Sequence, residues 1–422
     1  MSTATDSTGT SETLITEENV VKALKVDKGS EAVLKSWKVV DFTKRGDNYA
    51  CLVTSVEVKY STNEKQDCEV SYVVKLNPQR KFGDFQEAEP FIFEKEGKFY
   101  EELVPALNEA ITSTGQKPLR YPKCFLVSLE EGKEQIFFED LRARGFKMYD
   151  RRKGLDEPHI TLVVSELARL HSASHLLRKK ILNVESVASA YEWLGKDFTS
   201  FGANCKDLFI SWIKRSVDTS VMMLETIGGY ETAINWLKSI KPDVEYYMTS
   251  YLQSKKFTSV CHGDIWNNNM VFRYDEEGCP VEVTLLDLQI NREASPATDL
   301  SYFLYTSVNG DVRKPNLDRF LSLYHSTYEE VLEAGGMQMY FTKEEITEEF
   351  RSKSVYGILF ALVIIPLFLL EPEEVPEMSE TDVETLMQDL KTLALQKLKT
   401  NPLCKPRFLA LFDEFMESGL IS

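Results

Sequence analysis

Two stretches of this chain decide how it is expected to fold and what it can do. Residues 261–272 read CHGDIWNNNMVF, and residues 283–290 read VTLLDLQI. The first contains a His-x-Asp with an Asn five residues after the Asp, namely His262, Asp264 and Asn269. The second ends an apolar, strand-like run on Asp287. A loop between short strands would bring these oxygen-bearing side chains to one edge of a small sheet.

That set of side chains matches the needs of phosphoryl transfer. The reaction requires a carboxylate beside the attacking hydroxyl, oxygen ligands for Mg²⁺ and positive charge on the phosphates. Asp264 is the candidate for the carboxylate, and Asn269 with Asp287 are candidates for the metal, because magnesium prefers hard oxygen donors. Each motif alone is weak, but the two together in this order are specific. The competing interpretation is a set of turn-capping Asp and Asn side chains.

The cation is expected from the first third of the chain. The run VSYVVKLNP places Lys75 in an otherwise apolar strand, where an unpaired ammonium would be costly. The next predicted helix offers glutamates as partners (Glu94, Glu96, Glu101 and Glu102). A lysine paired with a helix glutamate is the arrangement by which kinases hold the α- and β-phosphates.

Two further segments could contact a nucleotide. The turn GDNYA, which includes Gly46, Asp47 and Asn48, lies between two predicted strands, where a phosphate-binding loop would be. It has one glycine, so an ordinary hairpin turn is an equal alternative. The run FFEDLRARG contains Glu139, Asp140 and Leu141, whose backbone groups could bond an adenine edge.

The hydrophobic periodicity predicts two lobes. Five strand-like runs (37–43, 49–60, 69–76, 122–128 and 135–138) and one long helix at 87–110 form a small lobe. After residue 140 the pattern is mostly helical, at 162–171, 208–224 and 232–252, with short strands at 257–261, 270–273 and 281–286. We therefore expect a disordered tail at 1–13, a nucleotide-binding lobe at 14–140, and a catalytic and substrate-binding lobe at 141–422 with an insertion at about 181–255.

The ordered motifs resemble those of the ecdysteroid kinase-like (CHK-kinase-like) family, within the aminoglycoside and choline kinase group of protein-kinase-like folds. They are the GDNYA turn, FEKEGKFYEELVP, FFEDL, LARLHSAS, HGDIWNNN, LLDLQ and SPATDLSYFL, spread over residues 14–415. The resemblance implies an α+β, two-lobed protein-kinase-like fold, with a five-stranded N-lobe carrying one main helix and a larger, mostly helical C-lobe. It also implies an ATP-dependent small-molecule kinase that uses Mg²⁺.

The resemblance assigns roles residue by residue. Asp264 matches the catalytic base, Asn269 and Asp287 the metal ligands, Lys75 the ATP-binding lysine and Glu96 its partner. Glu139, Asp140 and Leu141 match the adenine-binding hinge, His262 a histidine that supports the loop, and Asp299 its structural anchor. Two positions depart from the family pattern: Leu288 replaces the usual Phe, and Cys51 the frequent Ser.

The acceptor is predicted less closely than the reaction. Aromatic residues between 191 and 251 are expected to be mainly core, with some lining a pocket for an apolar or amphipathic alcohol such as an ecdysteroid. The alternatives are a choline- or aminoglycoside-like cationic acceptor, and a non-catalytic pseudokinase that binds a steroid or lipid. His171 and His175 lie four residues apart on a predicted helix, and we expect the first beneath the catalytic loop and the second at the surface.

Composition limits the partners and the location. With 49 Lys and Arg against 66 Asp and Glu, the net charge of −17 argues against nucleic acid as a partner. The apolar run at 356–370 contains Pro366 and is shorter than the ~18–20 residues of a membrane span, so we expect a buried helix and no membrane insertion. Seven scattered cysteines and no apolar leader favour a soluble, cytoplasmic protein. The sequence does not indicate an oligomeric state.

Overall fold

The structure is a computed structural model that describes residues 14–42, 51–78, 88–196, 203–374 and 383–421. Its first lobe is built on a five-stranded antiparallel sheet with the strand order β1-β2-β3-β5-β4. In chain order the elements are α1 (Glu17–Lys28), β1 (Val33–Asp41), β2 (Leu52–Ser61), β3 (Cys68–Leu76), α2 (Glu89–Lys98), α3 (Val104–Thr112), β4 (Cys124–Ser128) and β5 (Gln135–Glu139).

The second lobe is mainly helical. In chain order it contains β6 (Phe146–Lys147), α4 (Glu157–Leu176), α5 (Ala203–Ile227), α6 (Glu231–Ile240), α7 (Val244–Met248), β7 (Ser259–Cys261), β8 (Met270–Tyr274), β9 (Pro280–Leu285), β10 (Arg292–Ala294), α8 (Pro296–Ser307), α9 (Gly310–Ala334), α10 (Lys343–Phe368), α11 (Val383–Thr400) and α12 (Cys404–Glu417). Its short strands form two small sheets, β6-β8-β9 and β10-β7. The predicted α+β, two-lobed architecture is confirmed. The exact limits at 14–140 and 141–422 stay a prediction, and the predicted tail lies outside the described residues.

Alternation along β3 gives the first lobe two different faces. Tyr72, Val74 and Leu76 point to one side, where they pack with α1 in a separate small core. Val73 and Lys75 point to the opposite side, toward the cleft between the lobes. Strand β3 pairs with β2 and β5 on its two edges, so the backbone of Lys75 is fixed from both sides.

Helix α1 is an element that the sequence analysis did not predict. It begins at Thr16, whose side chain accepts a hydrogen bond from the backbone N–H of Asn19 at 3.2 Å. Val20, Ala23 and Leu24 form its buried stripe. The small lobe therefore carries a second principal helix, which covers the sheet face away from the cleft.

Prolines interrupt two of the predicted helices. The predicted helix at 87–110 is divided into α2 and α3 by a π-helical turn at Phe99–Leu103. Pro105 has no N–H to continue the regular bonding, and the Val104 N–H reaches back to the carbonyl of Phe99 instead. The predicted helix at 232–252 ends at Ile240, directly before the turn that contains Pro242.

The apolar run at 356–370 belongs largely to α10, as a buried helix. Of the helices within the described ranges, α10 is the one long and apolar enough to span a membrane, and 72% of its apolar window is buried inside the protein. It crosses α8 closely, because a Cβ on Gly357 would lie 2.4 Å from the carbonyl oxygen of Ser301. Glycine at this position thus lets α10 pack directly behind the helix that carries Asp299.

Candidate active site

The loop between β7 and β8 is anchored from below by Asp299, in the first turn of α8. The Asp299 carboxylate accepts hydrogen bonds from the backbone N–H groups of His262 at 2.7 Å and Gly263 at 3.0 Å. Gly263 has a φ of +89°, and a Cβ there would lie 2.2 Å from the carbonyl oxygen of Ile290. The loop therefore needs glycine after His262, and its path is fixed by a buried carboxylate.

His262 joins the two sequence motifs. Its Nε2 donates to the carbonyl oxygen of Leu286 at 2.9 Å, while its Nδ1 accepts from the backbone N–H of Asp264 at 3.3 Å. Burial lowers the pKa of His262, which keeps the ring neutral and able to donate from one nitrogen and accept at the other. The histidine supports the loop in the way that its position in the motif predicted.

Asp264 is a half-buried residue of the loop with two side-chain partners. Its Oδ1 accepts from the hydroxyl of Tyr302 at 2.7 Å, and its Oδ2 accepts from the Nδ2 of Asn269 at 2.9 Å. Burial, followed by repulsion from Asp287, raises the pKa of Asp264 to about 6. A carboxyl group with a pKa near the working pH can accept a proton from a neighbouring hydroxyl and release it again.

Lys75 connects the two lobes. Its Nζ bonds to the carboxylates of both Glu96 and Asp287, and it lies 3.4 Å from the Oε1 of Gln289. Burial alone would lower the pKa of Lys75, but the negative charges of Asp287 and Glu96 outweigh it and hold that pKa well above its usual value. The predicted pairing of Lys75 with Glu96 is present, and the same ammonium also contacts Asp287.

Asp287 and Asn269 provide the oxygen donors expected for a divalent cation. Asp287 has a φ of +64°, unusual for a residue other than glycine, and its Oδ2 accepts from Gln289 Nε2 at 3.2 Å. Asn269 uses its amide nitrogen toward Asp264, so its carbonyl oxygen is the atom that would face a cation. A carboxylate that lines the cavity and an amide oxygen from the neighbouring loop fit Mg²⁺, which is usually bound by one or two protein carboxylates together with substrate phosphates.

A cavity of about 330 Å³ lies between the lobes beside these residues. Its wall includes Lys75, Glu96 and Asp287 at one end and the predicted hinge at the other (Glu139, Asp140 and Leu141). The Asp140 carboxylate is occupied by Arg142, whose Nη2 donates to it at 2.7 Å. The hinge could therefore contact a base through its backbone.

The remaining prediction for the nucleotide site is the phosphate-binding turn GDNYA. Gly46, Asp47 and Asn48 lie outside the described residues. Cys51 follows them and lines the cavity, as does Val53.

Three side chains of the candidate site escaped the sequence analysis. Tyr302 bonds the predicted base, Gln289 bonds Asp287, and Tyr100 lines the cavity. Spacing could have indicated Tyr302, because a residue three positions after Asp299 lies on the same face of a helix. Tyr100 shows no comparable signal, since its position depends on the π-helical turn.

The two histidines of α4 have different surroundings. His171 bonds Asp299 at 3.2 Å and Tyr324 at 2.9 Å, which confirms its predicted place beneath the loop. The prediction that His175 is a surface residue is wrong: it is 6% exposed and stacks on Tyr340 at 4.4 Å. Tyr328 of α9 and Tyr340, just before α10, cover this face of α4, which local periodicity could not show.

His171, Cys261 and Asp299 bring one ligand atom each to within 4.8 Å of one another. The Asp299 oxygens and both His171 nitrogens already make hydrogen bonds inside the protein, and burial raises the pKa of the Cys261 thiol well above its usual value. This trio is a hydrogen-bonded support for the loop, and the oxygen donors of Asn269 and Asp287 remain the candidate metal ligands.

Comparison with known proteins gives three findings. The comparison with curated proteins gives no match. Among solved structures, an ethanolamine kinase of Plasmodium vivax has a TM-score of 0.41 at 10% identity, covering 93% of this chain and 91% of that one. A GDP complex of a mutant aminoglycoside 2′-phosphotransferase IIIa has a TM-score of 0.40 at 11% identity, covering 96% and 99%. Both TM-scores are low, and we infer nothing about the substrate from them.

The family comparison is decisive, because it covers more than half of the chain and contains every candidate catalytic residue. The ecdysteroid kinase-like family matches residues 45–337, a range that includes Lys75, Glu96, Asp264, Asn269 and Asp287. The chain therefore belongs to the ecdysteroid kinase-like family, and this membership supports a phosphotransferase activity of the small-molecule kinase type.

Proposed function

We propose that this protein transfers the γ-phosphoryl group of ATP to a hydroxyl group of a small organic molecule. The observation that carries the proposal is the convergence of Lys75, Glu96 and Asp287 at one end of the cleft, beside Asp264 and Asn269. Such a set combines a proton acceptor, oxygen donors for a cation and a fixed positive charge, which phosphoryl transfer requires.

Each residue has a separate part in the proposed step. Lys75, held by Glu96, binds the phosphate chain of ATP, and the Glu139–Leu141 backbone binds the adenine. Asn269 and Asp287 would hold Mg²⁺, which would supply positive charge to the phosphates. Asp264 orients the acceptor hydroxyl and takes its proton as the oxygen bonds to the γ-phosphorus. The bond from that phosphorus to the bridging oxygen breaks, and ADP leaves.

The surroundings of Asp264 favour an apolar or amphipathic alcohol, such as an ecdysteroid-like one. Tyr302 packs on Phe360 with ring centroids 4.4 Å apart, and Trp266, two residues after Asp264, stacks on Phe368 at 5.1 Å. These four rings belong to the buried core, so what they give the acceptor side of Asp264 is an apolar, aromatic support rather than an exposed binding surface.

A choline- or aminoglycoside-like acceptor is less well supported. Arg292 donates to the Tyr356 hydroxyl at 2.5 Å, and its guanidinium lies 5.3 Å from the centre of that ring. Tyr356 packs on Phe360, the ring that also contacts Tyr302, so the positive charge of Arg292 lies beside the aromatic rings next to Asp264. A cationic acceptor would be repelled by the guanidinium.

A third candidate function is a non-catalytic pseudokinase that binds a steroid or lipid. The four residues that such a protein could lose (Lys75, Asp264, Asn269 and Asp287) are all present, which argues for catalysis. We also propose a cytoplasmic location, where ATP is abundant.

The test is an untargeted search for phosphorylated products. The purified protein is incubated with Mg·ATP and a metabolite extract, and with a panel of an ecdysteroid, choline and an aminoglycoside. Products that gain one phosphate by mass spectrometry are counted only if the Asp264→Asn protein does not form them. A protein that binds Mg·ATP but phosphorylates no compound in either set would support the pseudokinase, and preference for choline would support the cationic acceptor.

A further inference from the structure

A short segment at 186–196 lies directly against the helix that carries Glu96. Lys95, the neighbour of Glu96 on α2, is 1% exposed, and its Nζ donates to the backbone carbonyl of Leu194 at 3.3 Å and to that of Lys196. The indole N–H of Trp193 donates to the Glu102 carboxylate at 2.8 Å. We call residues 186–196 the bridging segment.

The other end of the bridging segment is held by the strand that follows Asp287. The Glu293 carboxylate, on β10, accepts from the backbone N–H groups of Val187 at 2.9 Å and Ala188 at 3.0 Å, and from the hydroxyl of Ser186. Strand β10 pairs with β7, which leads into the loop that carries Asp264. The bridging segment thus connects the helix of Glu96 to the backbone that supports the candidate catalytic residues.

Helix geometry makes the contact with Lys95 relevant to Glu96. Successive residues of an α-helix point about 100° apart, so Lys95 and Glu96 face different neighbours. A buried ammonium is costly unless it is hydrogen-bonded, and two of the partners of Lys95 are carbonyl groups whose positions the backbone fixes. Rotation of α2 that moved Glu96 away from Lys75 would also pull Lys95 away from these carbonyls.

We propose that the bridging segment is a positioning element for the nucleotide site: through Lys95 on α2, and through Trp193 at the π-helical turn that follows α2, it holds α2 at the rotation where Glu96 meets Lys75. Lys95 and Trp193 are then positioning residues, since they act on the phosphates only through Glu96. This inference rests on the proposed function, because it assumes that the cleft binds Mg·ATP. The bridging segment is part of the insertion predicted at about 181–255. The sequence analysis connected the aromatic residues of that insertion with the acceptor pocket, and this inference connects the segment with the nucleotide site instead.

The test is a double-mutant cycle on Mg·ATP affinity, measured by calorimetry without an acceptor. Lys95→Met removes the ammonium and keeps much of the side-chain volume, and we expect it to weaken Mg·ATP binding about tenfold. In a Glu96→Ala background the same substitution should weaken binding by less than about twofold, because the group through which it acts is gone. Lys22→Met is the control, since Lys22 pairs with Glu18 within α1, on the sheet face away from the cleft, and it should leave the affinity unchanged.

Three results would overturn the inference or the proposal beneath it. Unchanged affinity in Lys95→Met, or an equal loss in both backgrounds, would show that the bridging segment does not act through Glu96. If the unsubstituted protein binds no Mg·ATP, the proposed function itself fails. Should Lys95→Met not fold, as judged by thermal unfolding, Trp193→Phe removes the bond to Glu102 and keeps an aromatic ring, and the same cycle should show a loss of about threefold.

Discussion

Two aspartates, the half-buried Asp264 and the buried Asp299, lie on opposite sides of one loop and have opposite electrostatic surroundings. Asp299 accepts two backbone N–H bonds and one from His171. Burial alone would raise the pKa of Asp299, but the hydrogen bond with His171 outweighs it and holds that pKa below its usual value. Asp264 has two side-chain partners and faces Asp287, and its pKa is raised to about 6.

The difference indicates separate roles for the two aspartates: Asp299 holds the backbone of the loop, and Asp264 is the proposed proton acceptor. A carboxylate surrounded by fixed N–H donors stays ionised and holds the backbone, because its charge is satisfied by those donors. A carboxylate beside a second negative charge is a better proton acceptor, because ionisation costs more there. The four predictions below test this division of roles, from the largest expected effect to the smallest.

The largest effect is expected on the cleft side. Asp264→Asn removes the proton acceptor, and we expect kcat to fall about 10³-fold, within the range found for general bases. The affinity for Mg·ATP should change little, because Asp264 is not among the groups assigned to the phosphates. Steady-state kinetics and calorimetry measure the two quantities, and a variant that retains a tenth of the activity would remove Asp264 from the proposed role.

On the support side, the effect should be on stability. Asp299→Asn replaces one acceptor oxygen by an NH₂ group, which leaves one of the three donors unpaired in a buried site. We expect the free energy of unfolding to fall by about 3 kcal/mol, measured by urea denaturation. Asp389→Asn, at an exposed position on α11, is the matched control and should leave that free energy unchanged.

The raised pKa of Asp264 predicts the pH dependence of activity. The base acts when ionised, so kcat/KM should be constant above about pH 6 and fall tenfold per pH unit below it. The contribution of Asp264 to stability changes with pH in the opposite direction. Because its pKa in the folded protein lies above the usual 3.8, this contribution is fully present below pH 3.8 and is lost as the pH rises through about 6. An acidic limb with a midpoint near pH 4 would contradict the role of burial and Asp287.

The smallest effect is expected for Tyr302, which connects α8 to the base. Tyr302→Phe removes the hydrogen bond that lowers the pKa of Asp264, so the acidic limb of kcat/KM should move above pH 6. At pH 7 we expect a loss of about threefold in kcat/KM.

Tyr305→Phe is the control for this variant. Tyr305 lies on the same helix, but its hydroxyl faces Ser354 at 3.4 Å. Identical pH profiles in Tyr302→Phe and the unsubstituted protein would show that the Tyr302 bond does not tune the base.

Much of the candidate site could be predicted from local sequence. The loop with His262, Asp264 and Asn269 is continuous in the chain, and strand alternation alone places Lys75 opposite the α1 face of the sheet. The five strands of the first lobe were found for the same reason, since period-2 patterns and turn residues are local signals.

The missed features depend on contacts between distant segments. His175 looked like a surface residue because nothing within α4 shows that Tyr340 covers it. Lys95 donates to the backbone carbonyls of Leu194 and Lys196. Every residue has such a carbonyl, so no pattern of residue types in the sequence could predict these bonds. Helix α1 was not predicted, although Thr16 provides a local start signal.

The sequence by itself determined which chemical groups this protein has for phosphoryl transfer, and their order along the chain. Only the tertiary structure decided the surroundings that shift the pKa values of Asp264 and Asp299 in opposite directions. The physical reason is that the pKa of a carboxyl group depends on the donors and charges around it. For Asp299 those groups include His171 from α4, and for Asp264 they include Tyr302 from α8 and Asp287 from the next motif.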